Sequence, residues 1–248
     1  MPPESPETPT SARALVLLPT YNERDNLAPI VRAIHAAAPA VDVLVIDDAS
    51  PDGTGALADA LAAADPRVRA LHRAGKEGLG RAYVAGFRAA LADPKGYTHV
   101  ITMDADFSHD PGRLGALLAA CEAGADVAIG SRYVAGGSTI GWSARRRLLS
   151  RAGGLYARRV LGVDVRDLTA GYVCYRRAAL EALDLDGVAA SGYGFQIEVK
   201  YRCLRRGMVL REVPIAFPDR RAGSSKMSAS SMLEALALVT RLRLGGAG

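Results

Sequence analysis

A chain of 248 residues, 49% hydrophobic and 23% charged, suits one α/β domain of the larger kind better than two average ones and suffices to bury a full core. Three cysteines without CxxC spacing argue against a disulfide frame and for reduced thiols filling the core, and no uncharged apolar run approaches the roughly 18 to 20 residues of a membrane-spanning helix. The net charge of +5 is uneven: residues 127–163 hold seven arginines and no acid, so that stretch carries +7 and the rest of the chain −2, which suits an anionic partner such as a phosphate, a nucleic acid or an acidic membrane surface.

Residues 1–12, MPPESPETPTSA, lack the basic start and apolar centre of a signal peptide and read as a disordered tail, with folding expected from residue 13 onward. Strand-length apolar runs then follow at residues 14–19, 41–47, 68–72, 98–104 and 125–130. Helical patterns lie between them at residues 26–38, 54–64, 80–92 and 111–123. Continuously apolar strands alternating with helices predict a doubly wound, mostly parallel sheet with ligands beyond the carboxyl ends of its strands. Those ends read PTYNE, DDASPDGTG, RAGKEGLG, DADFSHD and SRYVAGGS, so acids, glycines and basic residues gather at one edge. Beyond residue 163 the alternation changes: 167–177 reads as a strand, 193–206 as a helix and 208–217 as a further strand, completing the site within the same domain.

In an extended backbone, residues two apart point the same way, so Asp104 and Asp106 can present both carboxylates to one side past the strand end, a hard-oxygen pair suited to Mg²⁺ or Mn²⁺ shared with substrate phosphates. Asp110 precedes Pro111 and an apolar helical pattern, which predicts an N-cap rather than catalysis. Asp47 and Asp48 end the second strand, where an acid accepts hydrogen bonds from a ribose or a base; the same Asp, Ser, Pro and Gly also build a turn. His109 is expected at an exposed helix start.

The stretch WSARRRLLSRAGGLYARRV, residues 142–160, sets six arginines among Leu148, Leu149, Leu155, Tyr156 and Val160. Such a helix can lie in the headgroup plane of a membrane, or be an ordinary solvated amphipathic face. The final helix, residues 231–244, can cover the sheet, touch lipid or bind a membrane partner. The loop DRRAGSSKMS offers Arg220 and Lys226 as charge clamps for a diphosphate. No P-loop, nucleophile elbow or RNA-binding aromatic motif is present, so neither a P-loop NTPase nor a nucleic-acid partner is expected.

Taken in order, LPTYNERDNL, VIDDASPDGTG, GKEGLGRAY, MDADFSHDP, GSRYVAGG, DLTAGYVCYRR, GYGFQIEVKYR and EVPIAFPDRRAGSSKMS resemble the family 2 glycosyltransferases, and within them the dolichol-phosphate or polyprenol-phosphate mannose synthases. The match is collinear from about residue 14 to the final helix. The resemblance implies a GT-A fold, a Rossmann-like mostly parallel sheet with helices on both faces and amphipathic interfacial helices on the acceptor side. It implies a GDP-mannose donor, a divalent metal, a polyprenyl monophosphate acceptor and inversion at the sugar. Residues 13–130 would form the nucleotide-binding half and 131–248 the acceptor-binding half.

Carried over by the same resemblance, Pro19, Tyr21, Glu23, Ile46, Asp47, Asp48 and Ala105 would line the nucleotide, and Asp104 and Asp106 would meet metal and diphosphate. Ser108 stands where relatives place a metal-facing Gln or Ser. Arg132, Arg145, Arg146, Arg147 and Ser150 would form the acceptor-phosphate site, with Arg220 and Lys226 on a closing loop. The resemblance further implies a cytoplasmic enzyme of the type without transmembrane helices, peripheral on the cytoplasmic face of the membrane and held there with a separate anchoring subunit. Its alternatives are a UDP-sugar-dependent glucosyl synthase of the same fold and a non-catalytic nucleotide-sugar or lipid-binding subunit.

Overall fold

Strand β1 (Ala14–Thr20) alternates its side chains between two faces, Leu15 and Leu17 entering one apolar layer and Val16 and Leu18 the other. The computed structural model describes residues 12–188, 193–219 and 229–245. The expected tail, apart from Ala12, lies outside them, as do Arg220 and Lys226. Around β1 the sheet runs β3-β2-β1-β4-β7-β5-β8, with β2 (Asp42–Asp47), β3 (Val68–His72), β4 (His99–Thr102), β5 (Val127–Ser131), β7 (Val173–Arg176) and β8 (Leu210–Pro214). Strands β1 to β4 pair in parallel, β8 is parallel to β5, and β7 is antiparallel to both β4 and β5. A short parallel pair, β6 (Ser138–Ile140) with β9 (Ala216–Pro218), stands apart from this sheet.

Helices α1 (Arg24–Ala37), α2 (Thr54–Ala64) and α4 (Leu114–Glu122) cover one face, burying Leu27, Ile30, Ile34, Leu114 and Leu117. The other face is covered by α3 (Leu79–Ala92) and α7 (Tyr193–Arg205), backed by α5 (Ala144–Leu161) and α8 (Ala229–Gly245). Gly86 lets α3 sit directly on the sheet, since a Cβ there would lie 2.6 Å from Ile46 Cδ1 and 2.9 Å from Leu17 Cδ1. Tyr83, Phe87 and Phe195 interleave beneath it with ring centroids 5.8 to 6.3 Å apart.

The N-cap reading of Asp110 holds: its carboxylate accepts the Gly112 N–H at 2.9 Å, and a 3₁₀ turn over Pro111–Arg113 leads into α4. All three cysteines are buried and free. The 167–177 strand shrinks to β7 and runs against its neighbours, while β6, β9 and the one-turn α6 (Arg177–Glu181) carry no periodicity long enough to read. The final helix covers the fold, putting Val239 and Leu242 into the core. No helix among the described residues is long and apolar enough to cross a membrane.

Candidate active site

Six strands run in one direction, so the segments after β1, β2, β3, β4, β5 and β8 emerge at one edge, and the loop entering the reversed β7 joins them there. Three non-glycine residues among those described have a left-handed backbone, Asn22 (φ 59°), Ala49 (φ 55°) and Phe107 (φ 62°), and each follows a strand at this edge. Backbone strain of this kind persists where surrounding contacts over-determine it.

Asp47 and Asp48, equivalent on paper, separate in space. Asp47 accepts from Thr20 Oγ1 at 3.2 Å, Ser50 N–H at 3.1 Å and Ser50 Oγ at 2.6 Å, which closes the turn. Asp48 instead pairs with Arg73 at 2.5 Å, and Arg73 also reaches Glu77 at 2.7 Å. Burial pushes the Asp48 carboxyl above its ordinary range, with the Arg73 charge opposing. Nearby, the Lys76 ammonium stands 4.0 Å from the centre of the Tyr21 ring, and Glu23 accepts from Asn26 Nδ2 at 2.8 Å. Ile46 and Ala105 are buried, Pro19 half-buried.

Past β4 the chain bends from Ala105 through His109, so simple alternation does not carry through to Asp106. Both carboxylates nevertheless lie near enough to act on Tyr83. Asp104 Oδ1 accepts the Tyr83 hydroxyl at 3.3 Å, and Tyr83 is held protonated far above its ordinary range by burial, then by the charge and hydrogen bond of Asp104, with Asp106 adding to it. Asp106 accepts the Ser108 N–H at 3.0 Å, while Ser108 Oγ is buried without a hydrogen-bond partner. Two carboxylates and an orphaned hydroxyl are hard oxygen donors that fit Mg²⁺ or Mn²⁺. Among the described residues no cluster of three or more His, Cys, Asp and Glu could hold a metal alone, so such a cation needs substrate or water oxygens to complete its shell.

His109 is not exposed, contrary to the expectation for a helix start. It is buried because its Nδ1 accepts the Asp104 backbone N–H at 2.9 Å, its ring stacks on Tyr172 with centroids 4.9 Å apart, and it meets Phe217 edge-on at 5.5 Å.

Phe217 leads across to the basic side. The Arg132 guanidinium lies 5.2 Å from the centre of Phe217, 5.2 Å from Tyr133 and 5.5 Å from Trp142. Arg146 stands over the same Trp142 ring at 3.9 Å and pairs with Asp219 at 2.8 Å. Ser150 shares a 2.6 Å hydrogen bond with Tyr133, so Arg132, Arg146 and Ser150, which the resemblance places together, lie around the Tyr133 and Trp142 rings. Arg145 and Arg147 are exposed on α5, with Arg147 also donating to the Trp142 carbonyl. Along that helix Leu148 is 69% exposed, and Leu149, Leu155 and Tyr156 are exposed too.

A family model described as Glycosyl transferase family 2 matches residues 15–184. The chain belongs to that family. It is 52% identical over 246 residues to a polyprenol monophosphomannose synthase of Mycolicibacterium smegmatis, covering 98% of this chain and 92% of that one. It is 49% identical over 229 residues to an undecaprenyl-phosphate mannosyltransferase of Micrococcus luteus, covering 92% and 93%. Among solved structures, glucosyl-3-phosphoglycerate synthase from Mycobacterium tuberculosis, in complex with Mn²⁺, UDP and phosphoglyceric acid, aligns with a TM-score of 0.71 at 20% identity, over 95% of this chain and 79% of that one. The fold is the GT-A arrangement expected from the sequence.

In this family 2 glycosyltransferase, two buried charged residues behind Arg132 escaped sequence reasoning. Asp167 is fully buried against Arg132, accepting from its backbone N–H at 3.0 Å, Nε at 2.7 Å and Nη2 at 2.6 Å. Burial pushes this carboxyl up, but the charge and hydrogen bonds of Arg132 prevail and hold it below its ordinary value. Lys200 is fully buried behind it. The one available signal was DLTAGY, whose acid and glycine fit a strand poorly.

Proposed function

We propose that this chain transfers mannose from GDP-mannose to the phosphate of a polyprenyl monophosphate, inverting the anomeric centre and releasing GDP. The names of the two relatives at 52% and 49% identity support the reaction class. The observation that carries it onto this chain is the convergence of Arg132 and Arg146 on Trp142, at the root of a helix whose outer face bears exposed leucines and arginines. A phosphate headgroup with a long hydrocarbon chain requires that combination of local positive charge and adjacent apolar surface.

In this reading residues 13–130 bind the nucleotide sugar and 131–248 the acceptor. Pro19, Tyr21, Glu23, Ile46, Asp48 and Ala105 line the nucleotide, with Asp47 shaping the turn beneath it. Asp104 and Asp106, with Ser108 beside them, would hold Mg²⁺ or Mn²⁺ against the diphosphate, where the metal supplies positive charge to the departing GDP.

The acceptor needs no general base, because a phosphate monoester with a second pKa of about 6 is largely dianionic at neutral pH. Arg132, Arg145, Arg146, Arg147 and Ser150 neutralise and aim that phosphate. Its oxygen bonds to the anomeric carbon as the bond to the diphosphate breaks, and Arg220 and Lys226 balance the leaving charge. The enzyme works peripherally on the cytoplasmic face of the membrane, with α5 towards lipid and a separate anchoring subunit as its partner.

The test is incubation with labelled GDP-mannose, Mn²⁺ and a short polyprenyl phosphate, with extraction of the lipid phase. Labelled mannolipid is expected, with GDP competing better than UDP. Label transfer from UDP-glucose but not GDP-mannose, or nucleotide binding without turnover, overturns the assignment.

A further inference from the structure

The loop between α5 and β7 holds one side chain with two of its polar residues, Asp167 and Thr169, and is itself tied to β4, β8 and α7. Asp167 grips the Arg132 guanidinium through Nε and Nη2, and Thr169 Oγ1 accepts from the same Nη2 at 2.7 Å. Glu212 on β8 accepts the backbone N–H groups of Arg166 and Asp167 at 2.8 and 2.9 Å. Behind the loop, Lys200 Nζ on α7 donates to the carbonyls of Leu168 (3.1 Å), Ala170 (2.6 Å) and Gln196 (3.2 Å) and to Gln196 Oε1 (3.3 Å). In front, the Gly171 carbonyl accepts Thr102 Oγ1 at 2.7 Å, and Thr102 ends the strand that delivers Asp104.

We infer that Asp167, Thr169 and Lys200 are positioning residues, which hold Arg132 at a set place relative to the Asp104 and Asp106 loop and so register the acceptor phosphate against the sugar donor. The inference rests on the acceptor role proposed for Arg132. Transfer between two bound substrates gains most of its rate from fixed relative placement, and a shift of about an ångström is costly. A rigid bridge from the acceptor arginine to the strand carrying the metal-side acids meets that need. For a merely structural loop, a buried lysine facing four carbonyl-type oxygens is an expensive choice.

The groups facing Lys200 are Asp167 from the loop, Glu212 from β8, Arg132 after β5 and Cys203 on its own helix. Burial brings its ammonium down to about 7, against the pull of Asp167. An ammonium has three N–H groups for those four oxygens, and a neutral amine has two. The bridge therefore slackens as pH rises through neutrality.

The experiment compares wild type, Thr169→Val and Lys200→Met for KM of a short polyprenyl phosphate, kcat, and GDP affinity by calorimetry, from pH 6.5 to 8.5. Thr169→Val preserves shape while removing the two bonds of that hydroxyl, from Arg132 Nη2 at 2.7 Å and to Asp167 Oδ1 at 3.1 Å, so acceptor KM should rise about tenfold with GDP affinity unchanged. Wild-type acceptor KM should climb with pH across this range, and in Lys200→Met it should be raised and show no such climb. No turnover by wild type defeats the functional assignment itself. An active wild type with unchanged acceptor KM in Thr169→Val, or equal loss of GDP affinity and acceptor affinity, overturns the positioning role.

Discussion

The Asp104 backbone N–H donates to His109 Nδ1 at 2.9 Å, which leaves the imidazole proton on Nε2 and pins the first acid of the Asp104 and Asp106 pair to a ring buried between Tyr172 and Phe217. Because Phe217 also packs against Arg132 and Trp142, His109 stands between the Asp104 and Asp106 loop and the Arg132 side chain. His109→Phe keeps the aromatic packing and orphans that N–H. A stability loss of about 1 to 3 kcal/mol is expected by urea unfolding, with turnover falling more than GDP affinity. An unchanged kcat would remove His109 from the site.

Asp104→Asn and Asp106→Asn should each lower transfer by roughly 100-fold or more while the melting temperature stays close to wild type. The amide keeps an oxygen for Tyr83 or for the Ser108 N–H, so the fold retains its contacts, but the charge needed for a divalent cation is lost. Calorimetry should find GDP binding no longer enhanced by Mn²⁺. Full activity in both variants defeats the metal role.

The neighbouring acids of β2 should part in the same way. Asp47→Ala removes three hydrogen bonds that close the turn, so a loss of about 2 to 4 kcal/mol is expected on chemical denaturation. Asp48→Asn keeps an acceptor for Arg73 and should mainly weaken GDP binding, by about tenfold. The reverse pattern would exchange their roles.

Which parts of this were readable in advance follows from the range of the interactions involved. The bounds expected for α2 and β3, residues 54–64 and 68–72, coincide with those observed, because their signal lies in adjacent residues. The Asp110 cap is equally local. The convergence of Arg132, Arg146 and Ser150 came from resemblance, not spacing. Asp167 was hidden because its partner is 35 residues away and its loop precedes a strand that reverses direction, which hydrophobic pattern does not report. His109 was misread because helix-start chemistry next to Asp110 said nothing about Tyr172 and Phe217.

The outer face of α5 offers a membrane test that spares the core. Leu148 and Leu149 are exposed beside Arg145 and Arg147, so Leu148→Gln with Leu149→Gln should leave stability within about 0.5 kcal/mol, and Arg145→Gln with Arg147→Gln, which gives up the bond to the Trp142 carbonyl, within about 2 kcal/mol. Each arginine contributes on the order of 1 kcal/mol on an anionic leaflet, so the arginine pair should cost roughly 30-fold in vesicle partitioning. That loss should shrink as salt rises, whereas the leucine loss should not. Equal partitioning of all variants on phosphatidylglycerol vesicles would turn α5 away from lipid.

Lys200 also makes stability depend on pH in a direction opposite to that of a salt-bridged lysine. Burial lowers its native value to about 7 from an unfolded value of 10.5, so between those limits the unfolded chain binds more protons. Native stability therefore gains from this group as pH rises through 7, and the penalty is largest below it. Restricting the measurement to pH 7 to 8.5 keeps it below the range where Cys203, pushed up to about 12 by burial, acts the other way. Over that interval wild type should gain on the order of 1 kcal/mol relative to Lys200→Met in urea midpoints compared at equal m-value. If the two respond to pH in parallel, Lys200 stays charged in the native state and the four oxygens around it outweigh its burial.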